Sequence, residues 1–210
     1  MKNRCNALTV APDVTLYHTG PALDHGPLPA FFYFCISGPD TLCLDPFNQP
    51  IQFLQGKMIR IFSLTLPGHE SHLPAKEAMK VWAEDLAKGR PFLSHFLDQA
   101  QAALDFAIRE KFADPAKLAC GGLSRGAFIA AHLAARDERF RHLLGFAPLT
   151  RLCKLKEFAH IESEQLDRSH LAPTRRARIN FDAPRAIDWE RALRVLRDCR
   201  AGRATFIPRP

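Results

Sequence analysis

A chain of 210 residues, 47% of them hydrophobic, suits one domain with a sizeable core and excludes a disordered polymer. Its formal charge of +7 is unevenly distributed, because every basic residue after position 160 is arginine whereas the earlier part uses lysine freely. Six cysteines without a CxxC pair argue against a disulfide framework or a zinc site. No stretch has the roughly 18 apolar residues of a membrane span or the pattern of a signal peptide, so a reduced, cytoplasmic protein without a membrane partner is expected.

In chain order, AFFYFCIS at 30–37 is a nearly continuous apolar run and predicts a strand buried on both faces, as in a parallel sheet, closed by a turn at Gly38-Pro39-Asp40. LDPFNQP at 44–50 predicts an irregular connection, and MIRIFSLTL at 58–66 a second strand that ends on Pro67-Gly68. From Pro74 to Phe112 apolar residues recur every three or four positions, which predicts amphipathic helices interrupted near Gly89-Arg90-Pro91. Asp114-Pro115-Ala116 reads as a turn, KLACGGLS at 117–124 as a short strand, AFIAAHLAAR at 127–136 as an alanine-rich helix, and HLLGFAPLT at 142–150 as one more strand. This alternation predicts an α/β class with a mostly parallel sheet flanked by helices.

Beyond about residue 151 the pattern weakens. LKEFAHIESEQL and WERALRVLRDCR read as helical, with a loop between them. Residues 1–160 are therefore expected to form the core, and 161–210 an arginine-rich segment, atypical in composition, that reads as frameshifted or poorly ordered. Lysine and histidine fade there while arginine and proline rise, as an out-of-frame reading of GC-rich DNA would produce.

Chemistry concentrates at Gly122-Leu123-Ser124-Arg125-Gly126, which matches G-x-S-x-G. That pattern serves a serine on a sharp strand-to-helix turn. Side chains in place of the glycines would collide with the neighbouring strand and helix, and the following amide sits at a helix N-terminus where it can hold an oxyanion. The apolar run before the motif and the helical pattern after it supply that context. A glycine-rich loop without catalytic function is the competing reading.

Leu66-Pro67-Gly68-His69-Glu70 after the second strand is by itself a turn with a loop histidine. Together with AFFYFCISG and DPAKLACGGLSRGAFIAAHLAAR it resembles the L-P-G-H-x-x-S loop, early strand and nucleophile unit of the α/β-hydrolase superfamily, nearest to bacterial hydrolases of the esterase and serine peptidase type; the likeness covers roughly residues 28 to 150. The resemblance implies an α/β-hydrolase fold, incomplete toward the C-terminus, with Ser124 as nucleophile and no cofactor or metal. It implies the Arg125 amide as one oxyanion donor and the Ser37 amide as the second, with Ile36 as the alternative. The chain departs from the common His-Gly at that strand exit, carrying Cys35-Ile36.

The triad of that family runs Ser, acid, His, and the histidine must reach the serine to take its proton. After Ser124 the histidines are His132, His142, His160 and His170, and none follows Asp182 or Asp188, the late acids. Three explanations stand: a catalytically dead scaffold, a truncated or frameshifted hydrolase, or an unusual histidine. Two functions follow. One is a serine hydrolase cleaving a small ester, thioester or amide by acyl transfer, with activity open to loss for want of a base. The other is a non-catalytic homologue that binds an anionic partner; nucleic acid is not favoured for this role, because the arginine-rich segment lacks interleaved aromatics and any DNA-reading motif.

Overall fold

The computed structural model describes residues 5–149 and 151–161. The expectations for the arginine-rich segment beyond residue 161, its helix at 189–200, and His170, Asp182 and Asp188 lie outside the described residues; Ile161, the first residue assigned to that segment, is buried in the larger core cluster.

The chain begins with a hairpin. Strand β1 (Asn6–Ala11) pairs antiparallel with β2 (Val14–Thr19) across Pro12-Asp13. Val14, Leu16 and His18 alternate inward along β2 while Thr15 faces out, the period of a half-buried strand. Strand β3 (Leu28–Phe34) is central and buried on both faces, as its continuous apolar run predicts. Phe32 and Phe34 enter a large cluster with Trp82, Phe96 and Leu104, and Phe31 and Tyr33 a smaller one with Leu42, Ile51 and Ile61.

After β3 come α1 (Gly38–Cys43) and α2 (Gln49–Leu54), which cover the smaller cluster, then β4 (Arg60–Ser63). Gly38-Pro39-Asp40, expected as a turn, is the first turn of α1. Ser37 caps it, its Oγ accepting from the Asp40 N–H, and Pro39 stands where a missing N–H costs nothing. The irregular connection expected at 44–50 gives way to α2 from Gln49.

Helices α3 (Ala78–Ala87) and α4 (Phe92–Arg109) break around Gly89 and Pro91 as the sequence indicates, and pack on the larger cluster. Strand β5 (Ala113–Leu123) starts earlier than expected. Its register against β3 slips between Leu28 and Ala30, and the Asp114-Pro115-Ala116 turn survives as an excursion in which Asp114 Oδ1 accepts from the Ala116 N–H. Helix α5 (Arg125–Arg136) and strand β6 (Phe140–Phe146) follow, and the residues after β6 form short 3-10 turns at Leu152–Lys154 and Lys156–Phe158.

The six strands form one mixed sheet in the order β1-β2-β4-β3-β5-β6, with β4, β3, β5 and β6 parallel, β2 antiparallel to β4, and β1 antiparallel to β2. The chain leaves β3 toward β4 on one side and leaves β5 toward β6 on the other. The crevice beyond the carboxyl ends of β3 and β5 is therefore the switch point of the sheet, where open α/β folds place their ligands. Among the described residues no helix is long and apolar enough to cross a membrane. The five described cysteines form no disulfide.

Candidate functional site

Ser124 stands at that crevice, between the last residue of β5 and the first of α5. Its backbone has φ 53° and ψ −115°, a combination that costs a non-glycine residue on the order of 1–3 kcal/mol. Four backbone hydrogen bonds hold it: its N–H donates to Phe146 O (2.8 Å), and its carbonyl accepts from Ala127, Phe128 and Leu149. Its surroundings leave it exposed to solvent.

The flanking glycines are required by contact. A Cβ on Gly126 would fall 1.9 Å from the Phe34 carbonyl oxygen, and one on Gly122 would fall 2.2 Å from the Gly126 carbonyl carbon. Both neighbours are backbone and neither can step aside. The same closeness brings the exit of β3, at Phe34 and Cys35, against the start of α5. The first amides of α5 have no partner within the helix, and they carry the positive end of its dipole.

At the β3 exit the two candidate donors separate. The Ile36 N–H donates to Thr41 Oγ1 (3.0 Å) and the Ile36 carbonyl accepts from Leu66 N–H (3.1 Å), so the Ile36 amide is already taken. Ser37 is extended (φ −64°, ψ 151°) and its hydroxyl donates to Asp40 Oδ2 (2.7 Å).

The loop after β4 brings in His69, which by its letters alone is a loop histidine. His69 is only 5% exposed, and Arg125 Nη1 lies 3.2 Å from its Nε2. A guanidinium can only donate, so Nε2 accepts and the ring proton sits on Nδ1. Burial and then the nearby Arg125 charge push the His69 pKa down to about 4, against a smaller opposing pull from Asp40. His69 is neutral at pH 7 and its Nε2 lone pair is engaged. The loop is fixed by Trp82, whose Nε1 donates to Pro67 O (2.7 Å), and by Gly68 (φ 76°), whose Cα lies against Ala78. The L-P-G-H letters after a strand were the signal; the contact with Arg125 was not foreseeable, because it depends on how α5 meets that loop.

Beside this pair opens a cavity of about 710 Å³, whose wall includes Tyr17, Ser37, Asp40, His69, Glu70 and Ala75. Of the later histidines, His132 is buried on α5 with its ring 4.4 Å from that of Phe128, and His142 lies on β6 opposite Ala119, upstream of the strand end. His160 borders a second, surface groove with Lys76, Lys80 and Glu157. Among the described residues no group of three or more His, Cys, Asp or Glu is placed to hold a metal ion.

No protein-family model matches the sequence, and no curated protein matches it. Solved structures do resemble it. A cold-adapted esterase from an Arctic intertidal metagenomic library superposes with a TM-score of 0.50 at 21% identity, over 68% of this chain and 59% of its own. A protein of Thermus thermophilus gives 0.54 at 18% identity over 80% and 66%. A puromycin-hydrolyzing peptidase of Mycobacterium tuberculosis gives 0.50 at 16% identity over 71% and 23%. The chain thus spans less than two thirds of the length of each. The common element is architecture, and the chain has the α/β-hydrolase fold.

Proposed function

We propose that this chain is a serine hydrolase that cleaves a small ester, thioester or amide by acyl transfer through Ser124, with G-x-S-x-G as its nucleophile elbow. The observation that carries the reading is the conjunction at Ser124 of a positive-φ turn, solvent exposure and two glycines that admit no side chain. A fold has no packing reason to maintain that conformation at an exposed serine, and strained residues collect where chemistry uses them.

In this reading Ser124 Oγ attacks the carbonyl carbon, and the negative charge that develops on its oxygen is received by the Arg125 and Ser37 N–H groups. Ser37 is preferred over Ile36 because the Ile36 N–H is held by Thr41. Collapse expels the alcohol, thiol or amine, which carries away the proton given up by the Ser124 hydroxyl. Water then attacks the acyl-serine and frees the acid.

The base is not assigned. His69 does not serve, since its Nε2 lone pair faces the Arg125 guanidinium. His132 does not serve either, being packed against Phe128 on the helix. The rival reading, a non-catalytic binder of an anionic partner, draws on an arginine-rich segment outside the described residues.

Labelling the full-length protein with a fluorophosphonate tests activation of the serine. The expected result is a single modification on Ser124 that disappears in Ser124→Ala. An unlabelled Ser124 in protein that melts cooperatively would overturn the proposal.

A further inference from the structure

Among the described arginines, Arg60 and Arg125 differ in what surrounds them. Arg60 is fully buried at the start of β4, and its guanidinium donates to four backbone carbonyls, those of Pro21, Ala22, Gly26 and Phe112. Four of its five N–H donors are engaged by backbone, and its role is structural. Arg125 is half-buried, and only its Nη1 is engaged, with His69 Nε2 at 3.2 Å and Ala75 O at 3.5 Å. Its Nε and Nη2 donors have no hydrogen-bond partner among the described residues. No carboxylate lies within ion-pair distance of it there; Glu157 is the acid that acts on it, from farther off.

A desolvated guanidinium faced by a neutral imidazole and one carbonyl lacks its usual counter-charge. The Nε/Nη2 edge left open is the one that matches a carboxylate with two parallel hydrogen bonds. Both groups that hold Nη1, His69 and Ala75, are also in the wall of the 710 Å³ cavity. The residue itself follows Ser124 directly.

We propose that the Arg125 guanidinium receives a carboxylate of the substrate, so that the acyl compound cleaved at Ser124 carries one negative charge close to its scissile carbonyl. The inference rests on the hydrolase reading above and adds the substrate class to it. Asp13, Asp40 and Glu70 line the same cavity, with no arginine or lysine among its lining residues. They repel a second negative charge, and the part of the substrate that enters the cavity is neutral or cationic.

The test uses full-length protein and two activated esters with four-carbon acyl chains, the mono-4-nitrophenyl ester of succinate and 4-nitrophenyl butanoate, each corrected for its enzyme-free rate, since the succinate carboxylate can attack its own ester. Wild type is expected to show the higher kcat/KM on the succinate ester. That preference should fall at least tenfold in Arg125→Gln and recover in part in Arg125→Lys, which keeps the charge but not the fork. A wild type that favours butanoate, or a preference that survives in Arg125→Gln, overturns the proposal while leaving the hydrolase reading intact. Should neither ester be turned over, calorimetric titration of wild type and Arg125→Gln with monomethyl succinate decides the matter. Binding at least tenfold tighter to wild type sustains the anion site while the hydrolase reading fails, and equal or absent binding overturns the site as well. Should Arg125→Gln not fold, the wild-type preference alone and its persistence in Arg125→Lys carry the decision.

Discussion

A methyl group at position 126 is the smallest perturbation that would report on the serine turn. It would enter the carbonyl of Phe34, so Gly126→Ala should cost roughly 3 kcal/mol or more in urea unfolding, and Gly122→Ala a similar amount. Gly145→Ala is the control, since its new Cβ would meet Pro148 at 3.5 Å, an ordinary contact, and should change stability by less than about 1 kcal/mol. At the same scale His69 gives the fold a pH dependence. Its folded pKa of about 4 lies below the unfolded value of 6.5, so between these limits the unfolded chain binds more protons and stability rises with pH. The part of the stability that depends on neutral His69 is present above pH 6.5, declines as pH falls and is gone near pH 4. The loss is on the order of 2–3 kcal/mol. Urea midpoints across this range should fall more steeply for wild type than for His69→Gln, and parallel curves would show that His69 is not held neutral.

At the level of elements, the most consequential side chain is Arg60, which ties the start of β4 to the 21–26 loop and to the residue before β5. Four backbone carbonyls converge on one buried charge. Arg60→Met should therefore destabilise by about 3–5 kcal/mol, more than truncation of any surface ion pair such as Lys88 with Glu84. The elements also mark what the sequence could disclose. Strands β3, β5 and β6 and helices α4 and α5 were legible because their apolar periods are long and their ends carry Gly or Pro. The hairpin of β1 and β2 is barely legible, although Leu8, Val10, Val14 and Leu16 alternate around Pro12-Asp13, because half-exposed strands of six residues give a weak signal. Helix α1 was read as a turn since Gly-Pro-Asp suits both. The deciding factor was the Ser37 cap, which takes effect only once the helix is present.

For the molecule as a whole, the two faces of the sheet are unequally covered. The larger cluster is roofed by α3, α4 and α5, with α4 alone burying seven residues, whereas α1 and α2 are six residues each and leave Leu44, Phe53 and Met58 exposed nearby. Short helices with few buried anchors open locally before the core does. Native-state hydrogen exchange should accordingly show amides of α2 exchanging at a lower free energy than those of α4, and equal protection would mean that the thin face unfolds only with the whole. The position of the serine was legible at this scale, because strand, glycines and helix occur in one continuous stretch. The His69 and Arg125 contact and the cavity beside it were not, since they bring together residues from β2, the β3 exit, the β4 loop and α5 that no local pattern connects.

One detail of the serine turn extends its reach across the sheet. The Ser124 N–H and carbonyl are bonded to Phe146 and Leu149, on either side of Ala147, itself at φ 43°. The two bent peptides face each other like a spring and its latch: the load carried at Ser124 is anchored in the exit of β6 as well as in the five letters around the serine. Loosening that latch from the far side, as by a proline at Leu149 that removes its N–H, would let the turn relax and swing Oγ away without altering a single residue of the motif.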